Sequence, residues 1–207
     1  MDLRIIIFGI SLLLFSCARS QQQLAPILVG GPCEGCEAVL EYGKRDLNAV
    51  DTLPEFASAE NKLKITGTIY EADGSTPAED IVLYIHHTNA DGVYPTKGDE
   101  KDWAKRHGYL RGWIKTGKDG EFTFYTQVPA GYPDRRTPAH IHPYILEPDG
   151  SYYYLSAYFF EDDPRFTKDH MEDPPRGSKG VVQLTKTGKM ALIERDFVLG
   201  QGIPGYK

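Results

Sequence analysis

Apolar and polar residues alternate most clearly at positions 63–69, where the sequence reads Leu-Lys-Ile-Thr-Gly-Thr-Ile. A period of two is typical of a strand with one buried face. Further runs rich in β-branched and aromatic residues follow at 81–86, 109–116, 122–126, 140–146, 152–160, 180–184 and 190–199. The pattern predicts about eight short strands, the number expected of a β-sandwich.

Tight turns separate these runs. Asp-Gly pairs occur at 73–74, 91–92, 119–120 and 149–150, and Asp-Gly favours turns that need a positive φ. We therefore expect an all-β, antiparallel β-sandwich at 61–207. Residues 99–107 are predicted to form at most one helical turn. The polar loop 161–179 is long enough to form one wall of a functional site.

The N-terminal residues predict export. Residues 5–15 are apolar apart from one Gly and one Ser, a run too short for a comfortable transmembrane helix. The run closes on Leu-Phe-Ser-Cys17, which resembles the lipobox of bacterial lipoproteins. This resemblance implies a signal peptide at 1–16, a lipid on Cys17 and attachment to the cell envelope, with Ala18 favouring the outer membrane. An ordinary signal peptide cut near Ala18 is the alternative, and we interpret 17–60 as a tether and N-terminal extension.

Only two cysteines remain if Cys17 carries a lipid. Cys33 and Cys36 lie too close together to act as the main covalent support of the fold, and in an exported chain we expect them to form a local disulfide. A redox-active pair is the alternative, although the strand and helix that such a motif needs are not predicted around it.

Composition excludes a nucleic-acid partner and leaves the role of the many tyrosines open. The chain has 23 Lys and Arg against 29 Asp and Glu, so no basic surplus exists to bind a nucleic acid. The 13 tyrosines outnumber the 9 Phe and 2 Trp. Tyrosine suits half-buried strands, binding faces and metal sites alike.

The stretch from Gly131 to His142 carries the clearest chemical signal. His140 and His142 lie two apart on a predicted strand and therefore face the same side, where both can approach one metal ion. A His-x-His pair alone is a weak signal, since buried histidines are often only hydrogen-bonded. Tyr132 precedes the pair in a Gly/Pro turn, and Tyr94 follows the Asp91-Gly92 turn.

Several motifs in order resemble the intradiol ring-cleavage dioxygenases. They cover about residues 62–170 and include Asp91-Gly92-Val93-Tyr94, Leu110-Arg111-Gly112-Trp113, Gly131-Tyr132-Pro133, Pro138-Ala139-His140-Ile141-His142 and Asp162-Asp163-Pro164. The resemblance implies a β-sandwich with a non-haem Fe(III) bound by Tyr94, Tyr132, His140 and His142. It also implies insertion of both atoms of O₂ into a catechol-like substrate, which opens the ring between the hydroxyls to a muconate-type diacid.

Tyr132 and Arg136 are the candidate catalytic residues. The resemblance implies that a bound catechol releases Tyr132 to accept a proton. Family members carry Arg directly before Pro-Ala-His-Ile-His, where this chain has Thr137. Arg136 supplies the nearest guanidinium, although a shift of one residue on a strand reverses its face. The pocket Gln of the family falls at Ala157, so substrate identity and turnover stay open, as does the oligomeric state.

Two other functions remain possible at this point. The Gly-Thr-Ile-Tyr run at 67–70 and the turn after it also resemble transthyretin-like modules, which implies non-catalytic binding at the cell envelope. A metal site without turnover is the third possibility.

Other polar residues are expected to have no part in the site. We expect His86 and His87 to face opposite sides in solvent or packing roles. We expect the acidic residues 161–163 to be solvated instead of binding Ca²⁺. Trp113 and the tyrosines at 152–154 are expected to pack in the sandwich, with one of them lining a pocket.

Overall fold

The computed structural model describes residues 25–207, and almost all of its regular structure is strand. The predicted signal peptide at 1–16 and Cys17 lie outside the described residues. Within 25–207, no helix combines the length and the hydropathy needed to cross a membrane.

The elements follow one another as thirteen short strands with one α-helical turn. Their bounds are β1 Ile27–Leu28, β2 Val50–Thr52, β3 Lys62–Tyr70, β4 Val82–His87, α1 Ala104–His107, β5 Arg111–Lys115, β6 Glu121–Gln127, β7 His140–Leu146, β8 Ser151–Tyr154, β9 Tyr158–Phe160, β10 Val181–Val182, β11 Thr185–Thr187, β12 Met190–Glu194 and β13 Phe197–Val198. Two 3₁₀ helices, Cys36–Tyr42 and Lys168–His170, lie in the connections. The single helical turn expected within 99–107 is confirmed as α1.

The strands form two sheets. The first sheet has the order β1-β8-β7-β4-β5, and β9 and β10 extend it beside β7. The second has the order β11-β12-β3-β6-β2, with β13 beside β3. The all-β prediction is confirmed, but the sheets are mixed: β1, β2, β10, β12 and β13 each pair in parallel with one neighbour. Three of them, β10, β12 and β13, lie in the runs predicted at 180–184 and 190–199, whereas β1 and β2 lie in the segment interpreted as a tether and extension.

Residues 25–60 contribute to both sheets. Strand β1 pairs with β8, and β2 pairs with β6, so the described part of the expected N-terminal extension is hydrogen-bonded into the sandwich. Cys33 and Cys36 form the predicted disulfide. The 3₁₀ helix that begins at Cys36 covers Trp113, whose indole N–H donates to the carbonyls of Ala38 and Val39.

The hydrophobic core lies between the sheets. Alternate residues of β4 and β7, among them Leu83, Ile85, Ile141 and Ile145, point inward and are fully buried against the second sheet. We call this side of the first sheet its inner face. The outer face, on the other side of the same strands, carries the histidines that the sequence singled out.

Candidate active site

Strand β7 presents His140 and His142 side by side on the outer face. Their ring centroids are 4.5 Å apart, because residues two apart on a strand share a face. The Nδ1–H of His140 donates to the Pro138 carbonyl at 2.8 Å. This bond fixes the tautomer and leaves Nε2 as a free acceptor, the arrangement usual for metal-binding histidines.

Tyr94 and Tyr132 meet in front of these histidines. Their hydroxyl oxygens are 2.8 Å apart, and the Tyr132 ring lies 5.1 Å from that of His140. The structure therefore brings all four predicted metal ligands together. Two are on one strand and two come from separate loops.

Gly92 explains why the two tyrosine loops can approach. It has a positive φ of 77°, and a Cβ at this position would lie 2.1 Å from the Gly131 carbonyl oxygen. Only glycine tolerates both the conformation and the contact. The Thr88 hydroxyl then joins the loops by donating to the Ala130 carbonyl at 2.7 Å.

Asp163 and Arg165 hold the other side of the Tyr132 loop. The Asp163 carboxylate accepts the backbone N–H of Ala139 at 2.7 Å, directly before the histidine pair. Arg165 donates to the Tyr132 carbonyl at 3.0 Å. Both residues position the candidate ligands without being candidates themselves. Asp163 is half-buried, whereas Glu161 and Asp162 are exposed, so the expectation of simple solvation was wrong for Asp163.

Burial keeps the site neutral in the absence of a cation. It raises the pKa of the Tyr94 phenol, and neighbouring Tyr132 raises it further. Burial also lowers the pKa of His140 and of His142. At neutral pH the imidazoles are therefore uncharged, which is the form that binds metals, while ionisation of Tyr94 requires a nearby positive charge.

The four side chains fit a small, hard cation. Two oxygen ligands in neighbouring positions of an octahedral ion, each at about 2.0 Å, stand about 2.8 Å apart, which matches the separation of the two phenol oxygens. The same distance is an ordinary hydrogen bond, so the pair is satisfied with or without metal. Within 25–207, no group of three or more His, Cys, Asp or Glu side chains can hold a metal ion, and a metal here depends on the phenols.

A stack of imidazoles extends from the site across the outer face. The ring of His86 lies 4.7 Å from that of His142 and 3.7 Å from that of His107, nearly parallel to both. The His86 Nε2 is 3.2 Å from the Tyr144 hydroxyl, and its Nδ1 is buried with no hydrogen-bond partner among the described residues. His107 Nδ1 bonds the Tyr84 hydroxyl at 2.8 Å.

His86 and His87 face opposite sides, as predicted, but neither is in solvent. His87 points inward, where its Nδ1–H donates to the Thr88 carbonyl and its Nε2 accepts the Thr126 hydroxyl, both at 2.7 Å. His86 contacts the site because β4 and β7 pair with His86 opposite His142. The spacing along the chain gave no signal of this pairing.

A cavity of about 270 Å³ opens beside His142. One wall comes from the first sheet and the connection after β8, and the other from the long polar loop, which was predicted to wall a site. The lining residues are His142, Tyr154, Leu155, Ser156, Ala157, Phe159, His170, Met171, Glu172, Pro175 and Gly180. Of the three consecutive tyrosines, Tyr153 is buried in the core and Tyr154 lines the cavity, as expected for one of them.

The positions that depart from the family pattern fall in different places. Ala157 lines the cavity, where its methyl group leaves more space than a Gln would. Thr137 and Arg136 belong to the turn held by the Asp134 carboxylate, which accepts both of their backbone N–H groups. Arg136 is exposed and is not among the cavity-lining residues.

Sequence comparison gives relatives of one kind. The chain is 29% identical over 186 residues to catechol 1,2-dioxygenase 1 of Acinetobacter lwoffii, covering 77% of this chain and 56% of that protein. It is 29% identical over 156 residues to the chlorocatechol 1,2-dioxygenase of Cupriavidus pinatubonensis, covering 66% of this chain and 59% of that enzyme. The chain therefore spans a little over half the length of these curated relatives. No model of a known protein family matches it.

Comparison with solved structures also finds dioxygenases. The dioxygenase domain of a dioxygenase and carbohydrate-binding fusion protein from Streptomyces sp. SirexAA-E superposes with a TM-score of 0.59 at 25% identity, over 84% of this chain and 98% of that domain. The chain is thus similar in sequence to catechol 1,2-dioxygenases and similar in fold to a solved dioxygenase domain. Catechol 1,2-dioxygenase of Acinetobacter radioresistens shares the fold, with a TM-score of 0.55 at 18% identity over 80% of this chain and 62% of that protein.

The intradiol resemblance seen in the sequence is thus confirmed. The relatives described above give no support to a transthyretin-like binding module. Asp163, Arg165, His86 and His107 were not predicted as parts of the site. Among these, only Asp163 had a signal in the sequence, its place in the Asp162-Asp163-Pro164 motif.

Proposed function

We propose that this protein is an intradiol dioxygenase that cleaves a catechol-like aromatic ring between its two hydroxyls, using a non-haem Fe(III). The observation that carries the proposal is the convergence of two phenols and two neutral imidazoles beside a cavity. The relatedness to catechol 1,2-dioxygenases supports it. Hard phenolate oxygens stabilise the ferric state, which distinguishes this set from the carboxylate triad of Fe(II) oxygenases.

Tyr94, Tyr132, His140 and His142 would hold the iron. When bound, ferric iron supplies the Lewis acidity that makes a catechol reactive towards O₂. The Tyr94 ring packs 5.4 Å from that of His86, and burial raises the pKa of its phenol. Tyr132 sits at the start of an exposed turn, so it would be the phenol that gives way to the substrate and accepts the catechol proton. The product is a muconate-type diacid.

The proposal is tested with purified residues 18–207 reconstituted with iron. We expect a visible phenolate-to-iron absorption band, uptake of O₂ with catechol, and a ring-opened diacid detected by mass spectrometry. Tyr94→Phe and Tyr132→Phe should each shift or weaken the band and lower kcat/KM by at least about 100-fold.

Tyr125→Phe is the matched control, because Tyr125 is on β6 of the second sheet, where its ring packs against Phe56. It should keep both the band and the activity. A colourless protein after reconstitution, or a band unchanged in both site variants, would contradict the assignment. Products cleaved outside the two hydroxyls would contradict the intradiol reaction.

We also propose that the protein is exported and attached to the outer membrane by a lipid on Cys17. The lipobox-like sequence before Cys17 supports this location. Expression in a bacterial host with labelled palmitate should label the native chain and leave Cys17→Ser unlabelled. Recovery of the native chain in the soluble fraction without label would contradict the lipid anchor.

A further inference from the structure

The charge of the cavity wall bears on which ring substituents the cavity accepts, an inference that rests on the function proposed above. Among the described residues that line the cavity, Glu172 is the one carboxylate, and none is Lys or Arg. The remaining wall is aromatic, aliphatic or neutral polar apart from the imidazoles. A substituent that enters this cavity therefore meets one formal negative charge and no guanidinium or ammonium group.

Glu172 is held in place from the opposite wall. Its Oε2 accepts the hydroxyl of Ser156 at 2.5 Å, and the Ser156 hydroxyl oxygen in turn accepts the backbone N–H of Arg176 at 2.8 Å. Burial raises the pKa of the Tyr154 phenol, and the nearby Glu172 carboxylate raises it further against the opposing effect of Arg176. The carboxylate is thus hydrogen-bonded to one lining residue of the sheet-side wall and near enough to a second to affect its pKa.

Two arginines lie behind this wall, and the hydrogen bonds that they form are to backbone carbonyls. Arg195 donates to the carbonyls of Ser156 and Ser178 at 2.7 and 3.0 Å. Arg176 donates to the carbonyls of Tyr154 and Gly30 at 3.0 and 3.2 Å, and its Nη2, which lies next to Gly30, is buried with no hydrogen-bond partner among the described residues. Both side chains are buried and do not line the cavity, so neither can form the direct bidentate pair that an arginine makes with a substrate carboxylate.

We propose that Glu172 is a specificity-determining residue that favours catechols with a cationic or hydrogen-bond-donating substituent and disfavours catechols with an anionic one. Ala157 widens the same cavity on the opposite side, which provides space for the substituent. A carboxylate in a partly solvated wall changes the relative binding of oppositely charged ligands by a factor of about 5 to 10.

The test compares three catechols that differ in the charge at one ring position: 4-(2-aminoethyl)catechol, 4-methylcatechol and 3,4-dihydroxybenzoate. Two quantities are measured on iron-loaded protein. They are kcat/KM from O₂ uptake, and Kd from anaerobic titration of the visible band. We expect the amine to exceed the carboxylate by about tenfold in both. In Glu172→Gln, which keeps the size and the Ser156 bond, this ratio should fall about fivefold.

Asp169→Asn is the matched control, since Asp169 is an exposed acid of the same loop that does not line the cavity. It should keep the native ratio. A ratio unchanged in Glu172→Gln, with 4-methylcatechol still cleaved, would overturn the role of Glu172 and leave the proposed function standing. Failure of all three catechols to bind or react would overturn the proposed function and this inference together.

Discussion

The two faces of the first sheet use the same strands for different purposes. On the inner face, Leu83, Ile85 and Ile145 pack into a continuous apolar core. On the outer face, Tyr84, His86 and His142 form a row of aromatic rings with polar atoms. The residues alternate one by one along β4 and β7, so the apolar core and the chemical groups are separated by the thickness of a single sheet.

This comparison explains how the site can be both buried and polar. The inner face gains its stability from apolar area removed from water. The outer face buries imidazoles and phenols that stack on one another and form some hydrogen bonds, while His86 Nδ1 has no partner among the described residues. Substitutions on the two faces of one strand should therefore have opposite consequences for stability and for chemistry.

The largest effect is expected on the outer face of β7. His142→Ala removes a proposed iron ligand whose side chain makes no hydrogen bond among the described residues. We expect kcat/KM for catechol to fall at least about 1,000-fold and the visible band to be lost. The free energy of unfolding of the metal-free protein should change by less than about 1 kcal/mol, as measured by urea denaturation. A variant that retains native activity would contradict the ligand role of His142.

At Ile145, three residues further along β7 and on its inner face, we expect a large effect on stability and little effect on the site. Ile145→Ala creates a cavity in the fully buried core and should lower the free energy of unfolding by about 3 kcal/mol. For a domain of this size that corresponds to a decrease in Tm of about 6–12 °C. The folded fraction should still show the iron band. Loss of the band at a temperature where circular dichroism shows a native fold would mean that the two faces are not separable.

Acidification is expected to lower the free energy of unfolding by a smaller amount, because of His87 on the inner face of β4. Burial lowers the pKa of His87 to about 4, against about 6.5 in an unfolded chain. Above pH 6.5 neither state is protonated and the residue has no effect. Between pH 6.5 and 4 the unfolded state binds a proton that the folded state does not, so the free energy of unfolding falls by about 2–3 kcal/mol.

His87→Gln should remove this part of the pH dependence. Urea denaturation of both proteins at pH 7.0, 5.5 and 4.5 gives the comparison. We expect the loss of stability on acidification to be smaller in the variant, whatever its stability at pH 7. Identical slopes for the two proteins would show that the folded state protonates His87 without cost.

Local sequence was enough to predict one part of the site. The alternation on β7 placed His140 and His142 on one face, and the resemblance to a family added Tyr94 and Tyr132, which lie at turns. All four meet in the structure. These predictions depended on short-range geometry and on ordered motifs that resemble a family.

The other parts of the site depend on contacts between segments that are distant in the sequence. His86 reaches the site because of its register opposite His142, and His107 because the end of α1 packs against His86. Glu172 bonds Ser156, which lies sixteen residues earlier in the chain. None of these distances is encoded by a local period. Arg136 shows the converse, since its position next to a motif did not bring it to the cavity.

The cavity has one wall on the sheet and one on an irregular segment, and this division has an evolutionary consequence. The sheet-side wall is continuous with the strand that carries His140 and His142, so changes there disturb the reacting centre. Residues 170–175 belong to a loop, and loops accept substitutions and insertions more readily than strands do. Selection can therefore alter which compounds enter by changing this short segment, while the centre that reacts with them is inherited intact.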